Sequence, residues 1–62
     1  MLYNAKNNLI EAIDELCCCQ NHLNSAYLHA EGNHNRSEIH TALEAVGSAL
    51  DSAQYTLLHF KD

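Results

Sequence analysis

A three–four alternation of apolar residues runs through both halves of this chain and breaks once, around a single glycine. In the first half it steps through Leu2, Ala5, Leu9, Ala12, Leu16, Cys19, Leu23, Ala26 and Ala30. In the second it steps through Ile39, Leu43, Val46, Leu50, Ala53, Leu57 and Phe60. Side chains three and four apart share one face of an α-helix, so each half is expected to form one amphipathic helix. The chain contains no proline, and nothing forces either helix to kink or stop early. Breaking signals gather in the segment Glu31–Ser37, where Gly32 and Asn33 both tolerate a left-handed turn residue. Asn35 can cap a following helix, with Glu38 three residues on as in a capping box, and Ser37 is a rival cap. The reading is all-α: one domain over residues 1–62, an antiparallel helical hairpin. Its helices are expected over about 2–31 and 36–60, with a turn at about 32–35.

Facing layers of an antiparallel pair have residue numbers that add to a constant. Here Leu23 with Val46, Leu16 with Ala53, Ala12 with Leu57 and Leu9 with Phe60 all add to 69. Most layers set a small residue against a large one, which fills space evenly between close helices. More apolar surface remains than one hairpin hides. Helix 1 carries a second stripe of Ile10, Ile13, Cys17 and Tyr27, and helix 2 carries Ala42, Ala45 and Ala49. Burying Ile10 and Ile13 alone is worth roughly 3–6 kcal/mol, comparable to the whole stability of so small a domain. These seven residues are therefore the expected interface of a homodimer closing into a four-helix bundle.

The chain's 62 residues put it near the lower size limit for independent folding. Eight acidic residues against three basic ones, Lys6, Arg36 and Lys61, leave no basic stripe and argue against nucleic acid as a partner. No apolar run approaches the roughly 20 residues that span a bilayer. The N-terminus Met1-Leu2-Tyr3-Asn4 lacks the basic-then-apolar pattern of a signal peptide. Cys17, Cys18 and Cys19 are consecutive, point about 100° apart on a helix, and are not placed to bond one another. An odd number of free thiols suits a reducing, cytoplasmic setting.

Chemistry-bearing constellations are few. Glu15, Cys18, His22 and His29 line one flank of helix 1, and Cys18 and His22 are one turn apart, as two zinc ligands would be. The lack of any Cys-x-x-Cys pair favours a solvated polar flank instead. His29, His34 and His40 gather near the turn as a weaker set. Cys18 faces outward, with Asp14 and Glu15 opposing thiolate formation, and Cys19 reads as a small core filler. Ser37, Ser48 and Ser52 lack a nucleophile elbow, and no cofactor motif is present, so enzyme activity and cofactors are not expected.

Two helices in about sixty residues, with layers mixing Ala and Leu, make a pattern that resembles the Rop family. That resemblance implies a dimeric bundle that binds paired RNA loops through helix 1. Lys6, Asn4, Asn7, Asn8 and Gln20 would then supply the contacts. From the residues themselves, the expected function is a small non-enzymatic dimer acting as a protein-interaction or regulatory module. Tyr3, Tyr55 and Leu58 are its candidate anchors for another protein. The alternatives are the Rop-like RNA binder and a zinc- or thiol-responsive switch.

Overall fold

The computed structural model describes residues 4–61, so Leu2 and Tyr3 of the expectations above lie outside the described residues. Two helices, α1 (Ala5–His29) and α2 (Asn33–Leu58), pack against each other as a hairpin. Among the described residues there is no strand.

Helix α1 opens on Asn4, whose extended backbone lets its Oδ1 accept the Asn7 N–H at 2.8 Å. That contact satisfies one of the orphan donors at the helix start. The Asn8 side-chain amide donates to the Asn4 carbonyl at 3.0 Å and braces the same turn. Asn4→Ala is expected to cost about 1 kcal/mol, read as a lower midpoint in a far-ultraviolet thermal melt.

The link between helices is Ala30, Glu31 and Gly32, two to three residues earlier than the glycine-and-asparagine signals imply. Ala30 and Gly32 are both extended, and no described residue has a positive φ. The left-handed role expected of Gly32 is therefore not used. Asn35 and Ser37 lie inside α2 and do not cap it, and Gly32 occupies the N-cap position with no side-chain bond. A different residue secures the corner: the Arg36 guanidinium reaches back six residues and donates from Nη2 to the Ala30 carbonyl at 2.8 Å. That cation satisfies a carbonyl left free by the end of α1.

The register agrees with the layer arithmetic to within about half a turn. The Tyr27 and His40 rings lie 5.7 Å apart across the pair. A Cβ on Gly47 would lie 3.7 Å from Gln20 Nε2. The residue numbers of each pair add to 67 against the expected 69, a slip of about 3 Å along the axis.

Helix α2 turns inward the stripe its sequence declares, with Leu50 buried and Ile39, Leu43, Val46, Ala53, Leu57 and Phe60 half-buried. Helix α1 is rotated from its expected face. Leu9, Ala12, Leu16 and Leu23 remain inward, joined by Ile13, Cys17, Gln20 and Tyr27, while Cys19 and Ala26 are exposed. Cys19 is thus not a core filler. The rotation follows from area: Ile13 and Tyr27 bury more apolar surface than Ala5, Cys19 and Ala26 can, so the bulkier flank wins the single available neighbour.

The resulting core is thin. Among the described residues only Ile13 and Leu50, 9% and 8% exposed, are buried. The body measures 45 × 23 × 11 Å with a radius of gyration of 14.4 Å, against about 10–11 Å for a compact domain of this length.

Candidate interaction surface

Both helices are right-handed and run in opposite directions, so turning the same way from their shared seam leads to the same side of the hairpin. The Tyr27–His40 and Gln20–Gly47 approaches mark one such side. At about 100° per residue, Ile10, Cys17 and Leu28 of α1 and Leu58 of α2 belong to it. Cys19 and Ala26 of α1, with Ala42 and Ala49 of α2, belong to the opposite side. Cys17 and Cys19 therefore report on opposite sides, and Cys18 points away from α2.

This geometry divides the seven residues expected to form one dimer interface. Ile13 is inside the hairpin, and Cys17 and Tyr27 are half-buried against α2. Ile10, 39% exposed, sits on one side. Ala42 and Ala49 sit on the other with Ala45 further out, all three exposed. The seven do not form one continuous patch.

Of the candidate anchors, Tyr55 and Leu58 are 66% and 79% exposed, and the Tyr55 ring lies 4.4 Å from that of His59. Tyr3 lies outside the described residues. Leu28, 76% exposed, is a further large apolar group that the expected anchors do not include. The signal was available, because Leu28 follows Ile10 by 18 residues, five full helical turns, and must share its side.

On α1, Asp14, Glu15, Cys18, Cys19, His22, Leu23 and Ala26 line an open, shallow depression of about 690 Å³. It holds three of the four proposed zinc ligands, Glu15, Cys18 and His22. His29 is engaged elsewhere, donating from Nδ1 to the Ser25 carbonyl at 2.7 Å. Among the described residues no three His, Cys, Asp or Glu side chains are arranged to hold a metal. The cause is geometric: side chains fanned along one convex helix diverge, and no second element converges on them. The histidines near the turn fare the same way, since His40 faces Glu44 at 3.7 Å and stacks obliquely on Tyr27. A smaller depression of about 300 Å³ lies beside it, lined by Tyr27, Asn33, Arg36, Ser37, His40 and Thr41.

Cys17, Cys18 and Cys19 are all free thiols. Among the described residues no helix is long and apolar enough to cross a membrane. No protein-family model, curated protein or solved structure matches the chain.

Proposed function

We propose that this hairpin is a non-enzymatic interaction module that works as a homodimer and regulates a protein partner through its outer surface. The observation that carries the reading is surface area. The chain exposes 4844 Å², whereas a compact monomer of its size exposes about 4000 Å². The excess, about 800 Å², matches what each partner contributes to a standard protein–protein interface. Two helices have one seam between them and cannot cover their remaining apolar flanks, but two hairpins can cover one flank of each. The exposed Leu28, Tyr55 and Leu58 supply contact groups for a further protein. Three free thiols suit action in a reducing, cytoplasmic compartment.

Light scattering on the purified chain tests this directly. A two-chain mass is expected in the micromolar range, and a single-chain mass throughout that range overturns the reading.

A further inference from the structure

The outer face of α1, turned away from α2, carries donor groups that one chain leaves half used. Cys18 and His22 are one helical turn apart there, both exposed, and both line the depression that also holds Asp14 and Glu15. Three other histidines are engaged: His29 bonds the Ser25 carbonyl, His40 faces Glu44, and His59 lies against Tyr55. Among the described residues, neither the Cys18 thiol nor the His22 ring has a hydrogen-bond or ion-pair partner.

A thiolate and an imidazole are donors that tetrahedral zinc selects, at about 2.3 and 2.0 Å, which sets sulfur and nitrogen about 3.5 Å apart. Side chains one turn apart start about 5–6 Å apart at Cβ and converge to that spacing. A third donor on the same convex helix diverges, so one chain supplies half of a four-ligand site. A second copy related by a two-fold axis supplies the rest. With two α1 helices antiparallel about Gln20, each Cys18 stands level with the partner's His22. The same register sets Glu11 level with the partner's His29, and Glu15 with the partner's Ser25. At about 100° per residue, Glu11, Cys18, His22 and His29 all lie within about 20° of one line along the helix. Carboxylates then meet an imidazole and a hydroxyl, whereas parallel helices would set them against their own copies in a chain of net charge −5.

We infer that Cys18 and His22 of two chains share one zinc ion. Each thiol gives up its proton to solvent as the metal–sulfur bond forms, two protons per ion, and each imidazole binds neutral. Asp14 and Glu15 add the negative potential that draws a divalent cation to this face. This inference does not rest on the homodimer proposed above. That reading is decided by the mass of the metal-free protein, and this one by the metal it takes up.

Cobalt(II), a coloured stand-in for zinc, supplies the test. Reduced, chelator-treated protein is titrated with it, and a thiolate-to-cobalt charge-transfer band is expected to saturate at one ion per two chains. Zinc should then bleach the band by displacing the cobalt. Cys18→Ala and His22→Ala, both at exposed helical positions, should lose the band while keeping far-ultraviolet helix signal. Cys19→Ala and His40→Ala should keep the band. Absence of a thiolate band overturns the site, and saturation at one ion per chain overturns its sharing between copies. Loss of the band in Cys19→Ala with retention in Cys18→Ala overturns the choice of ligands.

Discussion

Leu50→Ala is expected to remove about 2–5 kcal/mol of stability and leave much of the protein unfolded at room temperature. Leu50 is 8% exposed, and among the other described residues only Ile13, at 9%, is classed with it as buried. A domain of this length holds a total of roughly 3–9 kcal/mol, so one truncation at the centre of the seam consumes much of it. No second buried cluster exists among the described residues to hold the helices together while the cavity relaxes. Loss of far-ultraviolet helical signal at 25 °C, measured at one fixed chain concentration, checks the prediction. Leu58→Ala is the comparator: it removes the same atoms from a side chain 79% exposed and should move stability by less than about 0.5 kcal/mol. Equal melting of the two variants would mean that the seam does not run through Leu50.

Gly47→Ala works in the opposite direction, with an expected gain of about 1 kcal/mol and a melting midpoint higher by about 4–8 °C. Glycine in a helix interior gives up backbone entropy for no contact. Here an added methyl would meet only Gln20 Nε2, at 3.7 Å, an ordinary van der Waals distance at the end of a flexible amide. The backbone is helical at negative φ, so alanine is unstrained there. Gly47 lies on the side with Tyr27 and His40. A midpoint that falls instead would mean that the Gln20 amide does not give way to the added methyl.

The α2 stripe is legible because its apolar positions, Ile39 through Phe60, have mostly small or polar competitors on either flank, Tyr55 and Leu58 near its end being the large exceptions. Helix α1 offered two apolar flanks around shared anchors at Leu9, Leu16 and Leu23, one slim (Cys19, Ala26) and one bulky (Ile13, Cys17, Tyr27). Heptad counting weighs position and ignores volume, so it chose the slim flank, while packing against a single partner rewards the bulky one. The link was misplaced for a related reason. Asn35 and Ser37 are good caps in isolation, but the Arg36 bond to the Ala30 carbonyl closes the corner earlier and involves a side chain six residues away. A long-range tether of that kind leaves no mark in a local pattern. The depression on α1 was half visible, since the spacing of Glu15, Cys18 and His22 put them together correctly. What spacing does not encode is curvature, and on a convex surface neighbouring ligands point apart.

The three-residue link also sets the order in which the helices come together. Pairs beside it, such as Tyr27 and His40, are 13 positions apart in the chain. Those at the far end, near Asn4 and Lys61, are separated by almost the entire chain. Closing a short stretch of polymer costs less entropy than closing a long one, and each contact made brings the next within reach. The hairpin should thus zip from Arg36 outward, with the ends bearing Asn4 and Lys61 the last to close and the first to fray.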